Sequence, residues 1–308
     1  MKAKWVRLAI GRKIDYWLKS ITDESLRSQV KDNVIVTGGC IVSMLLGEPV
    51  NDFDIYLRDK STALALAKYY VDKFKKNPPQ SFKNDPEKLV AISVREDGER
   101  IKIVVKSSGI ASVTGSNEYQ YFEQAHGDEE QAEFVEAVAS EVKAETERKP
   151  DGDKYRPVFL SANCITLSDK VQVIFRFFGE PEAIHSNYDF AHCTCYWDSK
   201  TRKLTLPSEA LEAILARDLR YLGQSKYPIC AMVRIRKFIK RGWNITAGQM
   251  LKIAWDINKL DLNSIAVLED QLVGVDTAYF VQLIEMLRQK DPEKVDAAYL
   301  MEVIDKIF

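Results

Sequence analysis

The sequence predicts an α+β protein, in which a domain built on a mixed or antiparallel sheet is followed by an all-helical domain. Short apolar runs of strand length alternate with turn-forming residues over positions 34–206. After Pro207 the apolar residues recur at helical spacing instead. Because the pattern changes once along the chain, we expect one domain over residues 1–205 and a second over residues 206–308.

Composition excludes several classes of protein. The 308 residues are 46% hydrophobic, which is enough to bury a core, and the apolar runs are far shorter than the roughly 18 residues of a transmembrane helix. With 44 Lys and Arg against 45 Asp and Glu, the net charge of −1 excludes a strongly basic nucleic-acid coat but permits a local basic groove. Five scattered cysteines do not form a disulfide framework. We therefore expect a cytoplasmic protein with no membrane partner.

The first half of the chain is predicted to alternate helices with strands. Predicted helices cover residues 5–18, 23–30, 40–46 and 61–75, and predicted strands cover residues 34–37, 52–57, 89–94 and 101–105. Residues 107–153 differ, because positions 128–150 hold eight acids against three bases. We interpret this stretch as a surface insertion with a charged helix, through which a protein partner could bind.

The rest of the chain is predicted from the same patterns. Strands over residues 158–167 and 171–178 form a hairpin that turns at 168–170, and a strand over residues 191–197 ends in a turn at 198–200. The helices predicted after Pro207 cover residues 208–222, 228–240, 247–258, 264–273, 278–287 and 294–307.

A pair of glycines and a pair of carboxylates carry the strongest functional signal. Gly38 and Gly39 follow a predicted strand and open a helix, and Asp52 and Asp54 lie on the next predicted strand. Backbone N–H groups at a glycine-rich helix start can approach a triphosphate. Acids at positions i and i+2 project from one strand face and can hold Mg²⁺ or Mn²⁺. The structural alternative is a tight turn followed by two solvated acids, which leaves two like charges unfavourably close.

This block of residues resembles a known family. The sequence GGCIVSMLLGEPVNDFDI at residues 38–55 is similar to the head-domain signature of bacterial poly(A) polymerases and CCA-adding enzymes, within the polymerase-beta-like nucleotidyltransferase superfamily. The family pattern is glycine-glycine, a short helix ending in leucine-leucine-glycine, and aspartate-x-aspartate. The family's arginine-aspartate inside the helix is Val42-Ser43 in this chain. The resemblance implies a nucleotidyltransferase head domain, in which the two glycines bind NTP and Asp52 and Asp54 are catalytic metal ligands.

A second stretch resembles the same family. Residues 188–198, YDFAHCTCYWD, and the tail KLTLP at 203–207 are similar to the arginine-arginine-aspartate-phenylalanine-threonine motif and the strand that follows it. In the family this aspartate helps to recognise the ribose, which implies a nucleotide contact for Asp189. Asn187 and Tyr188 stand where the family has arginines, and Cys193 stands where it has asparagine.

The start of the helical domain carries a third resemblance. Residues 228–238, PICAMVRIRKF, are similar to the family helix whose aspartate and arginine read the incoming base. Tyr227 and Cys230 occupy those two positions, and neither side chain can form the bidentate pairing. CCA addition is therefore not the expected reaction. The resemblance spans residues 33–245 apart from the insertion, and the chain is also similar to uncharacterised nucleotidyltransferase-like proteins of large tailed phages.

The resemblance places Gln172 where the family has a third catalytic acid, within the segment VQVIFR at residues 171–176. Glutamine brings no charge to a metal site. Three interpretations stay open: one metal dominates, a nearby acid (Asp169 or Glu180) serves instead, or activity is low. Arg176, in the same segment, is either a nucleotide contact or a strand-edge residue in a surface ion pair.

A basic stretch in the helical domain is the candidate nucleic-acid surface. Residues 217–241 hold eight bases and one acid, and the alternative interpretation is a solvated helix face. Arg234 and Arg236 are assigned to the nucleotide. The residues assigned to RNA are Arg217, Arg220, Lys237 and Arg241, of which the last two share a helix face with Arg234. The aromatic residues that either stack on bases or belong to the core are Tyr221, Tyr227 and Trp243.

A cluster of histidine and cysteine invites a metal interpretation as well. Its members are His185, His192, Cys193 and Cys195. Because no second Cys-x-x-Cys pair follows, the spacing is not that of a structural zinc site. We interpret the cysteines as buried and free.

The sequence and the resemblance together predict a metal-dependent nucleotidyltransferase. It would transfer NMP from NTP to a hydroxyl at an RNA 3′ end, in tRNA or another RNA, without a template. One alternative is a toxin-like or regulatory transferase that modifies tRNA or protein. A second alternative is a catalytically weak binding or assembly protein that keeps the fold.

Overall fold

The computed structural model of the chain describes residues 2–78, 92–98, 100–106, 118–119, 154–160, 163–223, 225–262, 264, 267 and 271. Contacts group residues 1–122, 133–185 and 195–206 into one compact unit and residues 123–132, 186–194 and 207–308 into a second. The predicted α+β class is confirmed, because helices and a mixed sheet both occur in the described residues.

The first unit is built from helices and strands that alternate along the chain. Its helices are α1 (Ala3–Lys19), α2 (Glu24–Lys31), α3 (Gly39–Leu46), α4 (Lys60–Lys76) and α5 (Pro181–His185). Its strands are β1 (Val34–Thr37), β2 (Phe53–Leu57), β3 (Ile92–Asp97), β4 (Arg100–Lys106), β5 (Glu118–Tyr119), β6 (Pro157–Leu160), β7 (Cys164–Leu167), β8 (Val171–Phe178), β9 (Tyr196–Asp198) and β10 (Lys203–Thr205).

A seven-stranded sheet with the order β10-β9-β1-β2-β8-β7-β6 organises this unit, and β3, β4 and β5 form a smaller sheet. Neighbouring strands of the larger sheet are antiparallel, except that β2 and β8 are parallel. Five of its strands contribute an in-register row of fully buried apolar residues: Trp197, Val36, Ile55, Val173 and Ile165. Since side chains alternate along a strand, the positions next to this row face the other side of the sheet.

Arg58, directly after β2, ties several elements of this unit together. Its side chain is only 12% exposed, and its Nη2 lies 2.9 Å from a carboxylate oxygen of Asp198. Its Nε lies 3.1 Å from both carboxylate oxygens of Glu180, and its Nη1 donates to the carbonyl of Asp32 at 3.1 Å. One guanidinium therefore links β2, β9, the start of α5 and the end of α2.

The second unit contains a 3-10 turn (Ala191–Thr194) and the helices α6 (Ser208–Ala216), α7 (Pro228–Lys240) and α8 (Ala247–Ile257). His192 lies at the centre of an aromatic cluster in this unit. The centre of its ring is 4.3 Å from that of Trp243 and 4.7 Å from that of Phe238. Within the described residues neither ring nitrogen has a hydrogen-bond partner, and burial lowers the pKa of His192 to about 3.

Several predicted elements agree closely with the structure. Strand β1 and helix α7 have the predicted bounds, and α3, β2 and α4 differ from prediction by one residue at one or both ends. The turn between β7 and β8 is also confirmed, with Asp169 and Lys170 in the left-handed conformation. The helices predicted over 278–287 and 294–307, and most of those over 264–273 and the charged insertion, lie outside the described residues.

Three predicted elements are wrong in extent. The strand predicted over 158–167 is two strands, β6 and β7, which pair with each other. The strand predicted over 191–197 begins as the 3-10 turn, because the Cys193 N–H bonds locally to the carbonyl of Phe190 at 3.2 Å. The helix predicted over 208–222 ends at Ala216, because Arg217 adopts a left-handed conformation (φ 51°) and closes the helix.

Two histidines with lowered pKa values predict acid sensitivity. Burial lowers the pKa of His185 to about 4 and that of His192 to about 3, against an ordinary 6.5. Because the unfolded chain then binds protons more readily, stability present at pH 7 is lost as the pH falls below 6.5. We expect the free energy of unfolding to fall by about 2 kcal/mol for each histidine between pH 7 and pH 5.

Urea denaturation at the two pH values measures this loss. The variant His192→Phe keeps a ring in the aromatic cluster and cannot titrate, so about half of the difference should vanish. An unchanged pH dependence in the variant would show that His192 is not the buried neutral group described above.

Candidate active site

A row of polar side chains crosses the larger sheet of the first unit. In the strand register Asp54 of β2 lies between Thr37 of β1 and Gln172 of β8, and the row continues to Tyr196 on one side and Thr166 on the other. These positions alternate with the buried apolar row, so they occupy the opposite face. Asp54 is half-buried. A carboxylate at the middle of this row has fixed neighbours on both sides.

The two glycines lie where β1 ends and α3 begins, one and two residues beyond Thr37. Gly38 has a φ of 88°, a conformation that favours glycine over residues with a side chain. Gly39 is the first residue of α3, and a Cβ built on it would meet nothing within 4 Å. The helix start is therefore open above Gly39, and its backbone N–H groups suit an anion.

Asp52 lies just before β2 rather than within it, and it is exposed. The prediction placed both acids on one strand, but only Asp54 lies within β2, and Asp52 directly precedes it. Asp54 also influences the neighbouring helix: burial, reinforced by the charge of Asp54, raises the pKa of the Cys40 thiol. Cys40 is thus a neutral, unreactive neighbour of the acids.

His185 reaches the polar row through Thr37. The Thr37 hydroxyl donates to the carbonyl of Cys195 at 2.9 Å, and its oxygen lies 2.9 Å from the Nε2 of His185. Since the hydroxyl proton is already used, Nε2 must carry the proton and donate to Thr37. Burial lowers the pKa of His185 to about 4, so the ring is neutral at pH 7. It adds no positive charge beside the acids.

The structure separates the two acids considered as substitutes for a third carboxylate. Glu180 bonds to Arg58 at the far end of β2, so its carboxylate is engaged away from Asp52 and Asp54. Asp169 lies in the β7–β8 turn, and the next residue, Lys170, accepts a bond from the Phe53 N–H at 2.8 Å. Asp169 is therefore at the same end of the sheet as the acid pair.

Gln172 itself lies directly across from Asp54. Its amide nitrogen donates to the sulfur of Cys164 at 3.1 Å. The side-chain carbonyl oxygen is the acceptor of the same amide and does not take part in that bond. The polar groups at this end of β2 are thus two carboxylates and, across from Asp54, an uncharged amide bonded to Cys164. Hard oxygen donors of this kind suit Mg²⁺ or Mn²⁺. In the described part of the chain, no three His, Cys, Asp or Glu side chains form a metal-holding group.

Arg176 is not the surface residue that one interpretation proposed. It is only 7% exposed and lies four residues beyond Gln172 on β8, with its guanidinium 5.4 Å from the ring of Phe177. The structure thus places the two glycines, the two acids, Gln172 and Arg176 in the first unit, with the first five around one end of β2.

The remaining candidates lie in the second unit. Asp189 is 5% exposed; it accepts from the Ser225 hydroxyl at 2.6 Å and from the Nη1 of Arg234. Its carboxylate therefore holds Arg234 in place. Arg236 and Lys237 are exposed on α7. Arg220 instead bonds to Glu212 at 2.8 Å, and the Nη1 of Arg217 donates to the carbonyl of Arg241 at 3.2 Å.

Two interpretations about aromatic and cysteine residues are resolved. Tyr221, Tyr227 and Trp243 are each at most 5% exposed, so they belong to the core. All five cysteines are free, and four of them are buried.

Two residues that lie at this end of the sheet carried no sequence signal for the site: His185, beside Thr37, and Lys13, beside Phe53. The Thr37–His185 contact joins positions 148 residues apart. Lys13 of α1 places its Nζ 5.4 Å from the ring of Phe53, between Asp52 and Asp54 in the chain, and 5.1 Å from the ring of Tyr155. Burial lowers the pKa of Lys13. Only the folded sheet brings these side chains to the site.

The fold and site define an α+β protein with two carboxylates at the start of a central strand, beside a glycine-rich helix start. Residues 9–217 match the model of the Gabija anti-defense 2 family, and the chain belongs to that family. The protein "Gabija anti-defense 2" of Bacillus phage SPbetaL7 is 30% identical over 139 residues, which cover 45% of this chain and 33% of that protein. The chain thus spans about a third of the length of this curated relative.

Solved structures give looser likenesses. The Thermotoga maritima CCA-adding enzyme complexed with tRNA is 11% identical with a TM-score of 0.38, over 84% of this chain and 49% of that chain. The Bacillus stearothermophilus CCA-adding enzyme in complex with CTP is 14% identical with a TM-score of 0.37, over 87% of this chain and 50% of that chain. In the described residues no helix is long and apolar enough to cross a membrane.

Proposed function

We propose that this protein is a metal-dependent nucleotidyltransferase, whose site is the end of β2 described above. The observation that carries the proposal is the register that sets Asp54 between Thr37 and Gln172, with Asp52 at the strand end and the open helix start after Gly38. Two acids and an anion-binding helix start are the groups that a triphosphate with its cation requires. The signature at residues 38–55, similar to that of poly(A) polymerases and CCA-adding enzymes, supports the same chemistry.

The transfer would conserve all atoms of its substrates. The oxygen of an acceptor hydroxyl forms a bond to the α-phosphorus of NTP, the bond from that phosphorus to the bridging oxygen breaks, and pyrophosphate leaves. The hydroxyl proton passes to solvent. A divalent cation on Asp52 and Asp54 would favour ionisation of the hydroxyl and offset the charge of the leaving group. The backbone at Gly38 and Gly39 would hold the phosphates, and Gln172 would contribute a neutral oxygen.

The acceptor proposed is the 3′ end of an RNA, in tRNA or another RNA. Lys237 on α7 and Arg241 directly after it are exposed bases of the second unit, and they would supply positive charge for a phosphate backbone. Within the second unit Asp189 holds the guanidinium of Arg234, and the assignment of Arg234 and Arg236 to the nucleotide stays a prediction.

A second candidate function is a binding protein with little or no turnover. The observation that favours it is Gln172, which leaves the site one charge short. The name of the curated phage relative describes action against a defence, Gabija, and states no reaction. We propose that this chain acts against the same defence, either by transferring nucleotides or by binding through the retained fold.

Pyrophosphate release distinguishes these functions. The protein is incubated with Mg²⁺ and each NTP in turn, with total RNA added or withheld, beside the variant Asp52→Ala/Asp54→Ala. RNA-dependent release that the variant lacks supports transfer to RNA, and the preferred NTP follows from the same data. Release without RNA, again absent in the variant, points to modification of protein. No release under any condition overturns the enzyme and supports the binding function.

A further inference from the structure

Helix α1 carries an exposed aromatic and cationic stripe that the proposed site does not use. Trp5 is 56% exposed and Tyr16 is 62% exposed. Arg12 and Lys19 are exposed as well, and the four positions recur at spacings of seven, four and three residues. Such spacings place them along one side of the helix, over about 20 Å. We call Trp5, Arg12, Tyr16 and Lys19 the α1 stripe.

The charge around the α1 stripe is strongly positive. Residues 2–19 contain one acid, Asp15, and the bases Lys2, Lys4, Arg7, Arg12, Lys13 and Lys19. The single acid is neutralised, because both of its carboxylate oxygens accept from Arg202, at 2.7 and 2.8 Å. The Nζ of Lys19 also lies 5.8 Å from the ring of Tyr16, so the cation and the ring are neighbours on the helix surface. This surface is complementary to a polyanion.

The opposite side of α1 distinguishes between two polyanions, an anionic lipid surface and a nucleic-acid strand. Val6, Ile10, Ile14 and Trp17 on that side are fully buried in the core of the first unit. A helix that lies in a lipid surface inserts its apolar face, and in α1 that face is already occupied. The aromatic rings therefore stand on the polar side, among the cations. Exposed rings interleaved with bases suit a strand that offers both phosphates and unpaired bases.

The α1 stripe and the acid pair belong to the same unit. Lys13 follows Arg12 on α1, and its Nζ lies 5.4 Å from the ring of Phe53. Phe53 stands between Asp52 and Asp54 in the sequence, and all these residues belong to the first unit. Because side chains alternate along a strand, the ring of Phe53 lies on the face of the sheet opposite to Asp54, so Lys13 approaches the apolar face of β2 and not the acid itself.

We propose that the α1 stripe binds a single-stranded nucleic acid, stacking unpaired bases on Trp5 and Tyr16 and pairing phosphates with Arg12 and Lys19. Its role as the acceptor-strand surface rests on the proposed nucleotidyl transfer, whereas the binding itself does not. The α1 stripe would then be a second nucleic-acid-binding surface, in addition to the second-unit bases predicted from sequence.

Fluorescence anisotropy with a labelled, unstructured 20-nucleotide RNA, and with DNA of the same sequence, tests the inference. The variant Trp5→Ala/Tyr16→Ala should bind at least about tenfold more weakly. Its matched control is Trp255→Ala, which removes a ring 71% exposed on α8 and should change affinity less than about twofold. RNA and DNA arms show whether the 2′-hydroxyl matters.

Charge reversal gives an independent readout. Arg12→Glu/Lys19→Glu should weaken binding and lower the slope of log affinity against log salt by roughly one to two. The control Lys31→Glu/Lys68→Glu reverses two exposed lysines elsewhere in the first unit. It should change both the affinity and the salt slope less than Arg12→Glu/Lys19→Glu does. Thermal melting confirms that the variants stay folded.

Three results would overturn the inference. These are an absence of strand binding, equal weakening by the stripe variants and their controls, and binding to anionic phosphatidylserine vesicles in place of the strand. The proposed transfer fails separately: Asp52→Ala/Asp54→Ala should bind the strand normally, so strand binding without pyrophosphate release keeps the stripe and removes the enzyme.

Discussion

Replacing Asp54 with asparagine is expected to lower the rate of pyrophosphate release by about 10³-fold. The change removes one charge from the donor set, and loss of about 4 kcal/mol of charge stabilisation corresponds to that factor. Asparagine has nearly the same shape as aspartate, and Asp54 is only half-buried, so the fold should persist. Release assays measure the rate, and melting with and without Mg²⁺ should show that the metal-dependent rise in Tm is lost.

The control for this variant is Asp59→Asn. Asp59 follows β2 at its other end and caps α4, where its carboxylate accepts from the Thr62 N–H at 2.7 Å. The variant Asp59→Asn should lower the stability of the protein and leave the rate of pyrophosphate release nearly unchanged. Equal rates for the Asp54 and Asp59 variants would remove Asp54 from the site.

Gln172→Glu should act in the opposite direction. Without metal it sets two carboxylates across the β2–β8 pair and lowers Tm. With metal it should raise the apparent affinity for Mg²⁺ about tenfold, because a charged ligand replaces a neutral one. Gln172→Met, which removes the oxygen without adding charge, should show neither effect.

Replacing Arg58 with methionine is expected to lower the free energy of unfolding by about 3 kcal/mol. The guanidinium is nearly buried, and its removal leaves the carboxylate of Asp198, only 14% exposed, without its cation. Glu180 is 63% exposed and contributes less, since water screens it. Urea denaturation at pH 7 measures the loss.

The comparison variant is Arg27→Met. Arg27 pairs with Glu24 at 3.2 Å, but that carboxylate is 86% exposed. Water screens such a pair, so its loss should lower the free energy of unfolding by about 0.5 kcal/mol. Similar losses for the two variants would mean that Arg58 does not link the elements of the first unit.

Local patterns predicted most of the elements in the described residues. Strand β1 ends where glycine follows it, and α7 begins at Pro228, whose ring favours the first turn of a helix. The errors arose where backbone conformation depends on particular hydrogen bonds. Nothing in an apolar run marks the local bond of Cys193, and arginine at a left-handed helix end, as at Arg217, is uncommon enough to be missed.

The part of the candidate site that lies within one local segment was predicted, and the part that depends on long-range pairing was not. Gly38, Gly39, Asp52 and Asp54 lie within one β1–α3–β2 segment, so sequence order alone predicts their proximity. Gln172 was placed by resemblance, and the register now sets it opposite Asp54. His185, Lys13 and Thr166 reach this region only through long-range pairing, for which the sequence carries no local signal. The roles of these residues in catalysis remain predictions to be tested by the variants above.

The parallel pairing of β2 with β8 also bears on the order of folding. Strands β1 and β2 are close in the chain and can pair early, whereas β8 comes from far along the chain and must close a long loop before it reaches β2. During folding, the segment that carries the two glycines and both acids would therefore form first, and position 172 would pair with Asp54 last. An exchange at position 172 would therefore alter the chemistry of the finished sheet after the β1–α3–β2 segment has already paired.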